Sequence, residues 1–150
     1  MPGSVDLKKR MAALDRGART LNDLLDAPIE ATPDRIALKS RGLSGDSSIT
    51  YGELGTIVSR MGAGLISLGL EKGDRVALLS ENRPEWALAY ASVVSAGGVI
   101  VPLDPLLTAH ECLRLLRHSE AKFLFISPAL RHEKMEGAEP ESVQTILIDD

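Results

Sequence analysis

Cysteine, aromatic residues and long apolar runs are scarce in this chain of 150 residues. The lone cysteine, Cys112, cannot close an intrachain disulfide, which excludes a disulfide-stapled scaffold and suits a reducing compartment such as the cytoplasm. One Trp, two Tyr and two Phe are too few for a base-stacking platform, so nucleic acid is not an expected partner. No apolar run approaches the roughly 18–20 residues that span a bilayer. The first residues are partly basic but carry no continuous apolar stretch and no cleavage pattern, so no secretory signal is expected. What is present is 44% hydrophobic and 25% charged, the composition of a packed core.

The net charge of −4 is unevenly placed. Residues 1–19 hold Lys8, Lys9, Arg10, Arg16 and Arg19 against Asp6 and Asp15, a local +3, and the rest of the chain carries −7. A basic arm or helix of this kind can touch an acidic membrane surface peripherally; a solvated terminal helix is the plainer reading.

Local signals then divide the chain. Thr20 opens a helix that ends near Ala31, before the Thr32-Pro33-Asp34 break. Ile36-Ala37-Leu38 and Ile49-Thr50-Tyr51 read as strands of a small antiparallel hairpin over about 36–51, its tip in Ser40 to Ser48. Thr50-Tyr51-Gly52-Glu53 is a capping box: the hydroxyl accepts the Glu53 N–H while the carboxylate accepts the Thr50 N–H. Behind it Leu54, Ile57, Val58, Met61, Leu65 and Leu68 recur at helical spacing, with Gly62 and Gly64 permitting close packing and Gly69 as the left-handed stop.

From residue 75 the pattern alternates. Apolar strands begin near 75, 99, 122 and 143, spaced by 24, 23 and 21 residues. Helices from Pro84, from the capping box Thr108-Ala109-His110-Glu111, and from Pro128 lie between them. Strand–helix–strand units of this length predict a mostly parallel, doubly wound α/β sheet with right-handed crossovers. No helix follows the final strand, so the architecture reads as an incomplete part of a larger domain.

Most searches for chemistry return nothing. A Walker pattern is absent, and the turn after the first parallel strand, Ser80-Glu81-Asn82-Arg83-Pro84, has no glycine for a dinucleotide fingerprint. The loop Gly42 to Ser48 lacks a following lysine and leads into a strand. His110-Glu111 is followed by Arg114 where a zincin needs histidine, and His110, Cys112 and His118 do not share a ligand face. The remaining segment is Glu81 to Trp86, at the carboxyl end of the first parallel strand, where open α/β sheets place their ligand crevices. Asn82, Arg83 and Trp86 there read as a crevice wall, Arg83 contacting an anion. The competing reading, which weighs more, packs Trp86 under a neighbouring helix.

At these residues the chain resembles a known family. The segments TLNDLL (20–25), ATPDRIAL (31–38), ITYGEL (49–54), LISLGLEKGDRVA (65–77), ENRPEW (81–86), SAGGVIVPLDP (95–105) and SEAK (119–122) follow the order of the opening of the AMP-forming acyl-CoA synthetases. The Asn-Arg-Pro-Glu-Trp form is most like the long-chain fatty-acid–CoA ligases. The resemblance implies that 20–150 is the N-terminal part of the large adenylate-forming domain. In the full-length parent it implies conversion of a fatty acid and ATP, with Mg²⁺, to acyl-AMP and pyrophosphate, then thioester formation with CoA. The family's phosphate loop, metal carboxylates, ribose contact and mobile lysine lie outside these 150 residues. No catalytic, cofactor-binding or metal residue is therefore carried over, and no tight cofactor binding is expected of this segment. Two alternatives stay open: a freestanding α/β binding or regulatory module, and an adenylating enzyme that loads a carrier protein. Surfaces left uncovered favour a homodimer.

Overall fold

The computed structural model describes residues 20–42, 45–135 and 138–148; the basic segment 1–19 lies outside them. Helix α1 (Leu21–Ala31) leads to an antiparallel hairpin of β1 (Ile36–Gly42) and β2 (Gly45–Thr50), followed directly by α2 (Tyr51–Ser67). The alternating part comprises β3 (Arg75–Leu79), α3 (Pro84–Ser95), β4 (Val99–Pro102), α4 (Ala109–Ser119), β5 (Phe123–Ile126), α5 (Pro128–Lys134) and β6 (Gln144–Leu147). Tyr51 belongs to the helix and not to the hairpin strand, because the Thr50 cap ends the extended backbone one residue earlier.

Three capping boxes set helix starts. The Thr50 N–H donates to Glu53 Oε2 at 2.8 Å and the Glu53 N–H to Thr50 Oγ1 at 3.3 Å. Thr108 and Glu111 repeat this at 2.9 and 3.3 Å, and Thr20 with Asp23 does so at 2.8 and 3.2 Å. These bonds to the ionised form hold the Glu53 and Glu111 carboxyls below the usual carboxylate range. Gly69, with φ +96°, ends the turn after α2 as a left-handed stop. Of the two glycines inside α2, only Gly62 serves close packing: a Cβ there stands 3.5 Å from the Ser92 carbonyl oxygen of α3, whereas at Gly64 it meets nothing within 4 Å.

The four parallel strands lie in the order β4-β3-β5-β6, with Val76 opposite both Ile100 and Phe123, and Phe123 opposite Gln144. Side chains of a strand alternate between faces, and the core divides accordingly. Ala77, Leu79, Leu124 and Ile126 pack with Cys112 and Leu116 of α4 and Leu130 of α5. Val76, Leu78, Phe123 and Phe125 pack with Ala89 and Val93 of α3 and Leu65 of α2. Helices thus cover both faces, as a doubly wound sheet requires. Beyond α2 and α3 lies an outer layer in which Leu25 and Ile29 of α1 and Ala37, Leu38 and Ile49 of the hairpin meet Leu54, Val58, Leu88 and Ala91. Strand β6 is an edge of this sheet. No helix among the described residues is long and apolar enough to cross a membrane.

Candidate functional site

Strands β3 and β5 are neighbours, yet their onward connections diverge: α3 leads to β4 on one side, α5 to β6 on the other. α3 packs on one sheet face and α5 on the opposite face. Two chains leaving adjacent strands toward opposite faces open a crevice at the carboxyl ends, the topological switch point of an open α/β sheet.

The residues at that point come from β3 and β5. The Ser127 N–H donates to the Leu79 carbonyl at 3.2 Å, and the Leu103 N–H to the Leu78 carbonyl at 2.9 Å, so the ladder runs to the rim. Ser80 and Ser127 are buried there. The Ser80 hydroxyl donates to the Glu81 carbonyl at 3.2 Å and lies 3.4 Å from its Oε2; the Ser127 hydroxyl also bonds the Glu81 carboxylate. Burial raises the Glu81 carboxyl, but its own backbone N–H, the Ser127 and Ser80 bonds and the charge of Arg83 together bring it below its ordinary value. It is an ionised acceptor at neutral pH, suited to bind a donor group and unsuited to act as a general acid.

Arg83 precedes α3 in an extended conformation with no side-chain cap, and its Nε donates to Glu85 Oε2 at 2.7 Å. Asn82 is exposed. Trp86 is half-buried, packs against the cluster around Val76 and Leu78, and stacks on Tyr90 with ring centroids 5.4 Å apart. The chain therefore brings Asn82 and Arg83 to the rim, while the indole faces the core, which is the packing reading of its position. Sequence reasoning missed Ser80 and Ser127 as rim residues. Their signal is that each directly follows an apolar strand, but only the strand order makes those two positions adjacent.

The other sequence candidates stand apart. Cys112 is fully buried in α4, and burial raises its thiol above the ordinary value; His110 and His118 are exposed. Gly42 pairs with Gly45 in the hairpin, as a hairpin tip requires. No group of three or more His, Cys, Asp or Glu among the described residues is placed to hold a metal ion. Of the acidic groups at the crevice, Glu81 is bonded to serines and Glu85 to Arg83. The described residues accordingly do not fit a magnesium–nucleotide centre by themselves.

Residues 25–150 match a family described as AMP-binding enzyme. The chain belongs to that family. Among its AMP-binding relatives, a plipastatin synthase polypeptide of Bacillus subtilis (strain 168) is 31% identical over 143 residues, covering 95% of this chain and 5% of that protein. The long-chain-fatty-acid–CoA ligase of the same organism is 30% identical over 130 residues, covering 87% of this chain and 22% of the ligase. In three dimensions, the O-succinylbenzoate coenzyme A synthetase of Bacillus subtilis, solved with ATP and magnesium ion, superposes with a TM-score of 0.70. That likeness has 32% identity over 82% of this chain and 32% of that one. The chain thus spans a third or less of each of these AMP-binding proteins.

Proposed function

We propose that the protein is an ATP-dependent acid-activating ligase of the acyl-CoA synthetase kind, acting on fatty acids. Residues 20–150 would form the first part of its large adenylate-forming domain. The observation that carries this reading is the family match over residues 25–150, joined to the likeness to a long-chain-fatty-acid–CoA ligase. In the reaction, a carboxylate oxygen attacks the α-phosphorus of ATP and pyrophosphate leaves with the bond pair. The CoA sulfur then attacks the acyl carbonyl, forming the thioester and releasing AMP. Mg²⁺, when bound, neutralises phosphate charge.

The described residues contribute position and not chemistry. The switch-point rim, with Asn82, Arg83 and Trp86, serves as a crevice wall, and the sheet beneath holds it rigid. Residues 1–150 alone are expected to release no pyrophosphate from ATP and fatty acid. A cytoplasmic enzyme with peripheral membrane contact fits an apolar substrate and the +3 segment at 1–19. A homodimer is the assembly we expect, and sedimentation of a single monomeric species would reject it.

A second reading, adenylation followed by loading of a carrier-protein thiol, is supported by the likeness to plipastatin synthase over 95% of the chain. ATP–pyrophosphate exchange by the intact protein separates the two. Exchange dependent on fatty acid, followed by CoA thioester formation, supports the first. Exchange driven by amino acids without any CoA thioester replaces it with the second.

A further inference from the structure

The amino edge of the sheet, opposite the switch-point crevice, carries an open groove of about 530 Å³. Three cations from three elements line it: Arg75 at the start of β3, Arg117 in the last turn of α4, and Lys122 just before β5. Two carboxylates, Asp74 and Glu120, line it as well. Leu116, Ala121 and Val143 supply an apolar wall.

The pairings within this set are unequal. Lys122 Nζ is committed, 2.9 Å from Asp74 Oδ2 and 2.7 Å from the Gly69 carbonyl oxygen. Those bonds lower the Asp74 carboxyl and raise the Lys122 ammonium. Arg75 is half used: Nη2 meets Glu120 Oε2 at 2.6 Å, while Nε is out of solvent contact with no partner among the described residues. A guanidinium fork favours two oxygens at once, so this one is incompletely satisfied. The Arg117 side chain makes no hydrogen bond or ion pair with any described residue.

Glu120 is the displaceable member. Its side chain is 78% exposed, and exposed ion pairs hold weakly. It is also the one non-glycine residue among the described positions with positive φ, at +52°, a left-handed conformation that side-chain-bearing residues seldom adopt. Strain of this kind persists where surrounding structure imposes it, and it gathers at ligand sites.

We propose that this groove binds a phosphate-class oxyanion, which takes the Arg75 fork from Glu120 and recruits the unpaired Arg117. The bound anion replaces one carboxylate contact with oxygens shared between two guanidiniums, and Lys122 remains on Asp74. The apolar wall accommodates an organic group on a phosphomonoester.

The test is a titration of the intact protein with inorganic phosphate and with phenyl phosphate at fixed ionic strength. It is followed by calorimetry and by the amide shifts of residues 121 and 122. The proposal expects saturable binding that weakens about tenfold in Arg117→Ala and tightens about threefold in Glu120→Gln, opposite changes from two exposed positions. Arg117 has no partner to lose, so its variant folds as the parent does. Tighter binding of phenyl phosphate assigns an esterified phosphate, and equal binding assigns the free ion; either supports the site. The proposal is overturned if chloride produces the same shifts, or if both variants bind phosphate as the parent does.

Discussion

The outer layer and the central sheet are built on different terms. In the sheet, β3 runs from Val76 to Leu79 and β5 from Phe123 to Ile126 without a solvent-exposed side chain, and each strand is packed on both faces. In the outer layer, α1 has no fully buried residue, and Leu21, Leu24 and Ile36 are exposed. Parallel strands covered on both sides bury nearly all their apolar area, each large side chain contributing about 1.5–3 kcal/mol. A hairpin and one helix lying on other helices bury only one side. The contrast locates the rigid platform at residues 75–126, the part that carries the switch-point rim, and leaves the outer layer to open first.

The sharpest way to break this comparison is truncation in each layer. Leu78→Ala, in β3, is expected to cost about 3–4 kcal/mol in denaturant unfolding, against about 1 kcal/mol for Leu38→Ala in the half-buried hairpin. Equal losses would merge the two layers into one cooperative core. Next comes the turn from α3 into β4. A Cβ at Gly98 falls 2.9 Å from Val93 Cγ1 and 3.2 Å from the Val93 carbonyl oxygen. Gly98→Ala should therefore cost about 2 kcal/mol, visible as a lower thermal midpoint.

Cap removal makes the comparison finer. Thr108→Ala, at the head of a helix packed on the sheet, should lower global stability by about 1 kcal/mol. Thr20→Ala removes the same kind of cap from α1, and its effect should appear as faster amide exchange in 21–31 with little change in the global midpoint. A global loss as large as that of Thr108→Ala would show that α1 unfolds with the sheet.

The smallest expected effect is in acid. Hydrogen bonds from Thr50 and Thr108, and the Lys122 ammonium, lower the Glu53, Glu111 and Asp74 carboxyls in the folded state. A depressed carboxyl stabilises the fold above its unfolded value, about 4, and loses that contribution as pH falls through the folded value. Stability should therefore decline below about pH 4, with a shallower decline in Thr108→Ala, because Glu111 then titrates closer to its unfolded value. An unchanged acid slope in that variant would reject the assignment.

Much of the architecture was legible because it rests on local chemistry. The boxes Thr50–Glu53 and Thr108–Glu111, the proline at the head of α3 and the apolar runs of β3 and β5 each need only neighbours within a few residues. The site was less legible. The segment 81–86 stands out for its residue types, but whether an indole faces a crevice or a core depends on the helices packed against it. Gly62 and Gly64 illustrate the same limit: spacing treats them alike, and only the approach of α3 separates them.

By itself, then, the sequence determined the strand and helix alternation, the doubly wound α/β class and the family, since periodicity, caps and motif order are properties of the chain read in line. The tertiary structure decided what contacts what. Strand order set β3 beside β5, and so placed Ser127 against Glu81 at one end and gathered Arg75, Arg117 and Lys122 at the other. Those residues are far apart along the chain, and proximity between them arises only when buried apolar faces choose their neighbours.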